Sequence, residues 1–297
     1  MYIRSTDGSD ADDGSTWALA KATGVGMAAA DAAGETHYFS QAHSEGTTGA
    51  SLTLAMAGTQ ASPSKILGVS DAAEPPTALA LGATLIGSSV TIQGHVYVDS
   101  LTLEANTAIA VGSGAATVQH YRACRLRLVG TSSSSRINCG VNGAGVEPLV
   151  VLEDCTFKFG SASQKLTALI GHTKIMGGSI EAGGTALTGS LIEVTNGGRP
   201  GNFQIDRFDF SGLASSCNLL TVSNGAGRFI IRNGKLPASW SGSLATGTFA
   251  PGFRAEMYDC ASGDTHHTFW IQDYAGSVRE ESTIVRTGGA TKSQKFV

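Results

Sequence analysis

Residues 191–197 read Leu-Ile-Glu-Val-Thr-Asn-Gly, and residues 219–225 read Leu-Leu-Thr-Val-Ser-Asn-Gly. The offset is 28 residues (219 − 191). A repeat of this length marks one supersecondary unit stacked on itself. The unit consists of short strands and Gly/Asn turns, with no helical stretch. Stacked units of that kind form a β-solenoid, in which each coil covers the apolar face of the one before.

The repeat extends beyond this pair. A turn followed by a strand recurs with Asp99, Cys124, Cys155, Gly178, Asp206, Gly234 and Cys260 taken as equivalent points. The steps are 25, 31, 23, 28, 28 and 26, which calls for loops of variable length at fixed corners. Apolar residues alternate with an outward polar row: Arg125, Arg127, Lys158, Glu181 and Asp209. A two-sheet sandwich would instead show hairpin turns every 8–12 residues or so. The expected fold is all-β: a right-handed, single-stranded parallel β-helix. About eight coils at roughly 4.8 Å each give a rod of roughly 40 Å. Composition agrees: 39 glycines in 297 residues and 15% charged residues suit tight turns and apolar strands better than helices.

The ends break the rhythm, so the chain divides into residues 1–45, 46–263 and 264–297. In the first part, Tyr2–Arg4 reads as a strand. Ser15 reads as an N-cap, and dense alanine predicts a helix over 16–33 with Gly34 as its stop. The segment 36–40 is again a strand. Such a unit covers the open end of a stack. Further on, strands are expected at 51–55, 66–69 and 78–86, with Pro63, Pro75 and Pro76 between them. In the last part, 264–274 and 278–286 read as an antiparallel hairpin, followed by a polar tail from Gly288. An isolated hairpin is marginal in water, so Trp270, Tyr274, Arg279 and Arg286 are the candidate partner contacts.

Charge and hydropathy exclude several classes. A net charge of −4 gives no electrostatic case for nucleic acid or an anionic membrane. No apolar run nears the roughly 18 residues that span a bilayer. The N-terminus has no apolar core of a secretion signal. Five cysteines without CxxC or Cys/His spacing read as buried thiols.

Tyr2 to Trp17, YIRSTDGSDADDGSTW, resembles the capping start of right-handed parallel β-helix proteins of the pectate-lyase-like superfamily. STDGSDADDGSTWALAKAT together with Val285–Ala290, VRTGGA, resembles structural proteins of tailed bacteriophages and prophages. The resemblance implies a virion protein, made in the host cytoplasm and placed on the capsid exterior. As a decoration or cement protein it would bind the major capsid protein as a homotrimer. The alternative is a tail fibre or tailspike module that binds or cleaves host polysaccharide.

A lyase or hydrolase site would need carboxylates converging on one outer face. Glu153, Asp154, Glu181 and Asp206 are read as falling in different columns, so no catalytic residue and no cofactor is expected. Asp10, Asp12 and Asp13 have the density of a Ca²⁺ loop but lack a bidentate Glu at loop position 12. The competing reading is that they satisfy free N–H groups at a helix start. His266 and His267 are neighbours on a strand, so they point to opposite faces and do not share a metal.

Overall fold

The computed structural model describes all residues except 115, 142–146, 196–199, 275–276, 287–288 and 297; for 200, 224 and 272–296 it describes the backbone alone. The chain is all-β, and its strands join into one connected sheet dominated by parallel pairing, compatible with a parallel β-helix. The pairing runs in three rows. The first row comprises Thr36–Ser40, Ser64–Val69, Val96–Asp99, Val118–Arg122, Leu149–Glu153, Gly171–Met176, Pro200–Asp206 and the later parts of Asn218–Arg232 and Ala245–Ser262. The second row runs from Leu52–Ala55 through Arg136–Cys139, Lys165–Ala168 and Ser190–Val194 to the earlier parts of those same two long strands. The third holds the starts of Thr84–Gln93 and Thr102–Ser113, then Arg125–Leu128, Thr156–Lys158 and Ser179–Ile180. Single bridges at Asp209, Lys235 and Ala261 continue it.

The 28-residue repeat is a true register. Ile192 pairs with Leu220, and Val194 with Val222. Its Asn196-Gly197 half lies outside the described residues.

The corner between the first and third rows explains the recurring turn. From Val96–Asp99 onward it is two residues long in each layer, whereas the two earlier layers turn through 41–43 and 70–83. The first residue is left-handed: Ser100, Ala123, Asp154, Gly177, Arg207, Asn233 and Asp259 have φ of 58, 48, 51, 67, 56, 53 and 50°. The second is Leu101, Cys124, Cys155, Gly178, Phe208, Gly234 or Cys260. Both backbone positions continue the ladder: Ala123 N–H donates to Glu153 at 2.9 Å, and Thr156 N–H to Cys124 at 2.9 Å. The two markers Asp99 and Asp206 are therefore corrected to Leu101 and Phe208. In a strand, residues i and i+2 share a face, so alternation could not expose a two-residue slip.

Inside the rows, apolar side chains stack on their own kind. The rings of Phe203, Phe229 and Phe253 follow at 5.8 and 5.7 Å. Leu103, Leu126 and Phe157 form another file, all at most 1% exposed. Burying each such side chain stabilises by about 1.5–3 kcal/mol. The five cysteines are buried and free, as read. Cys124 and Cys155 sit in neighbouring layers, and burial pushes the Cys124 thiol far above its ordinary range.

Three sequence readings are corrected. The helix spans Gly24–Ala29 rather than 16–33, and its N-cap is Thr23, not Ser15; Thr23 Oγ1 accepts the Gly26 N–H at 2.9 Å. Alanine propensity over 16–22 loses to pairing, because Lys21 N–H donates to Tyr2 and Arg4 N–H to Lys21. Trp17 is held there by Glu74 and the Ala73 carbonyl. The strand read at 78–86 begins at Thr84, and only Leu79 makes a bridge before it, to Val69. At the other end, Thr265–Tyr274 and Ser277–Arg286 pair antiparallel, as read. The expected polar tail instead contains a third strand, Gly289–Phe296. Thr265–Tyr274 adds antiparallel to the first-row edge of Ala245–Ser262.

Candidate functional site

Strand pleat and register place specific pairs of side chains on the outer face of the first row. Tyr97 is registered with His120. Asp99, Arg122, Glu153, Met176, Asp206, Arg232 and Tyr258 form the next column. Glu153 and Asp206 thus share a column, with Met176 between them, which corrects the reading that they do not. Glu181 is elsewhere, just after the third-row strand Ser179–Ile180.

Five polar side chains converge across three layers at the start of these columns. Asp99 Oδ2 accepts the Tyr97 hydroxyl at 2.8 Å, and Oδ1 accepts the Ser100 hydroxyl at 2.8 Å. Arg122 lies 3.5 Å from Asp99. His120 Nε2 meets Glu153 Oε2 at 2.9 Å, and its ring stands edge-on to Tyr97 at 5.1 Å. Burial, joined by Asp99, pushes the Tyr97 phenol up against the pull of Arg122. Tyr97 therefore stays a donor and is no base at neutral pH. His120 with Glu153 has the form of a base oriented by a carboxylate. Asp99 is 2% exposed and fully engaged, so it is not free to act as a partner acid. The cluster can fix a proton and bind three layers together.

Sequence reasoning missed this group. Offsets of 23 and 31 residues connect Asp99, Arg122 and Glu153, and they become legible once the corner is set at Leu101.

Four further outward carboxylates pair with cations of other layers. Arg127 grips Glu181 with two bonds of 2.9 and 2.6 Å, across the layer holding Lys158. Glu193 receives Arg136 at 3.0 Å and Lys165 at 3.1 Å. Glu256, 1% exposed, receives Arg228, Arg254 and the Tyr258 hydroxyl. Lys235 meets Asp209 at 3.0 Å. Burial pushes each of these four carboxylates up, and hydrogen bonds from these partners, led at Asp209 by Ser211, more than offset it, leaving all four below the ordinary range.

The Asp-rich loop closes on a cation of the chain's own. Lys21 Nζ donates to the carbonyl oxygens of Asp10 at 3.2 Å and Asp12 at 2.7 Å. The Asp10 carboxylate holds the Thr23 N–H and hydroxyl at 2.9 and 2.7 Å. Asp13 accepts the Ser15 N–H at 2.8 Å, and the Ser15 hydroxyl first, then this amide, hold its carboxyl below the usual range.

Asp31, Glu35 and His37 bring ligand-type atoms within 4.8 Å of one another. They do not fit a metal. Asp31 Oδ2 is taken by the Ala57 N–H and the Ser64 hydroxyl. A metal on His37 Nε2 would leave the ring proton on Nδ1, which is buried with no acceptor.

Of the contact candidates, Trp270 is registered with Glu256 and Glu281, Tyr274 with Ser277, Arg279 with Gln272, and Arg286 with Thr265. The side chains of Tyr274, Arg279 and Arg286 lie outside the description. His266 and His267 separate as expected: His266 binds Asp259, while His267 stands edge-on to Trp240 at 5.6 Å. Trp240, Leu244, Met257, His267 and Phe269 line a hollow of about 320 Å³ at this end. Among the described residues, no helix is long and apolar enough to cross a membrane. Comparison with protein-family models, curated proteins and solved structures finds no match to the chain.

Proposed function

We propose that this chain is a non-enzymatic structural protein of a phage virion, a decoration or cement protein on the capsid exterior. Its partners are the major capsid protein and two further copies of itself in a homotrimer. In this reading the fold is a right-handed, single-stranded β-helix of about eight coils, closed by the N-terminal helix segment and extended by the C-terminal strands. The observation that carries the reading is the closure of four outward carboxylates into bonds between layers. Glu181, Glu193, Asp209 and Glu256 each hold a cation of another layer. Such ladders stiffen a rod and engage these four carboxylates. Cement action would stabilise the assembled shell by mass action. The virion context rests on the resemblance of residues 5–23 and 285–290 to tailed-phage structural proteins. Co-sedimentation with expanded capsids tests it: binding at a fixed stoichiometry is expected, and an unbound protein overturns it.

One observation favours a second reading, the polysaccharide-processing tailspike module. The His120–Glu153 pair beside Tyr97 and Arg122 has the residue types of acid–base chemistry. Release of reducing or unsaturated sugars from a host capsule, abolished by His120→Gln, would establish it over the structural role.

A further inference from the structure

Two imidazoles are sealed into the N-terminal segment. The His37 and His43 side chains are both 0% exposed. His37 Nε2 meets Asp31 Oδ1 at 2.6 Å, and His43 Nε2 meets Glu45 Oε2 at 3.2 Å. Each leaves its Nδ1 buried without a partner.

The carboxylates they face are also the fastenings of the helix Gly24–Ala29. Glu45 accepts the Gly24 N–H at 2.5 Å and the Val25 N–H at 3.3 Å, the first amides of that helix. Asp31, two residues beyond its end, accepts the Ala57 N–H and the Ser64 hydroxyl, both at 2.7 Å. The helix is thus joined to the first layers through groups already shared with histidine.

With neutral rings, Nε2–H donates to the carboxylate and Nδ1 carries only an idle lone pair. Protonation puts an N–H on Nδ1, where no acceptor lies and water is excluded. A buried unsatisfied donor is costly, and opening the segment hydrates it. The opposing force is attraction to the carboxylates. Asp31, Glu35 and the Met1 amino group face His37; burial lowers its pKa and outweighs the pull of the two acids. Among the described contacts, Glu45 is the charged group facing His43.

We infer that the helix and the turn to Glu35 form an acid-released latch. It is closed over the first layers at neutral pH and opens as His37 takes up a proton, while the parallel rows remain intact. The open form binds more protons than the closed one, so falling pH favours it. The effect begins near the ordinary histidine value of about 6.5. Uptake of this proton raises the open population by up to about tenfold per pH unit.

Amide exchange from pH 7.5 to 5.0, corrected for the intrinsic rate, tests this. The ratio of protection in 149–176 to that in 21–35 should climb below pH 6.5. In the variant H37Q, glutamine keeps an N–H donor but does not titrate, so the ratio should lose its slope. A ratio independent of pH in the unchanged protein, or a variant with the same slope, would overturn the latch. Ring NMR of the unchanged protein needs no variant and gives a second check: His37 titrating at or above about 6.5 with 21–35 still protected overturns it.

Discussion

The N-terminal segment and the layered rows both use carboxylates as fasteners, but with opposite partners. In the rows, Glu181 and Glu193 are partly exposed and face Arg or Lys on other layers. In the N-terminal segment, the Asp31 side chain is 0% exposed and Glu45 is 7% exposed, and they face histidine and backbone amides. A guanidinium or ammonium keeps its charge across the physiological range, whereas imidazole does not. The rows also hold the His120–Glu153 pair, but there the ring is 32% exposed and open to water, whereas His37 and His43 are sealed. One chain thus carries a body fastened mainly by permanent charges and an end fastened through buried imidazole. The sign follows from the direction of each shift. Carboxylates held low contribute fully above their unfolded values of about 4 and lose that contribution only as pH falls through the lower folded values. A histidine held low contributes above about 6.5 and loses it as pH falls below that.

The largest expected effect is on the rows. Phe229→Ala removes the middle of a stacked file and should cost about 3–5 kcal/mol in denaturant unfolding. An effect under ~1 kcal/mol would mean that the rows do not share one packed core. Next is Asp31→Ala, which leaves the Ala57 N–H, the Ser64 hydroxyl and His37 without their acceptor. It should cost about 3 kcal/mol, read as exchange in 21–46, with 149–176 still protected. Equal loss in both would erase the distinction between end and body. Gly178→Ala comes third. Its φ is +85°, and a Cβ there would collide with the Cys155 carbonyl oxygen. A cost of about 2 kcal/mol is expected from strain and displacement. Glu193→Gln weakens two inter-layer pairs and should cost about 1 kcal/mol, with little change in the pH profile above 6. Smallest is Asp154→Gly, at a left-handed corner. It should shift stability by no more than about 0.5 kcal/mol, since relief of strain and lost chain stiffness oppose each other.

The rows were legible because stacking imposes periodicity. The offset of 28 between Leu191 and Leu219, and the corner markers at 124, 155, 178, 234 and 260, are local consequences of one repeated corner geometry. The markers at 99 and 206 were misplaced because parity is blind to a shift of two. The cluster of Tyr97, Asp99, His120, Arg122 and Glu153 was hidden for the same reason: its members are neighbours only across layers, and the alignment between layers sets which side chains meet.

The sequence by itself determined the all-β class, the in–out alternation and the antiparallel ending, since these follow from short-range pattern and turn chemistry. The tertiary structure alone decided where the helix starts, what the Asp-rich loop holds and which acids face histidine. Thr23, rather than Ser15, caps the helix because Lys21 pairs with the first strand. Lys21, 7% exposed, occupies the loop that composition suggested for a hard cation. Glu45 reaches the helix start from a strand that follows it in the chain. Each outcome is a competition between a local preference and a distant partner, and a distant partner leaves no periodic trace in the chain.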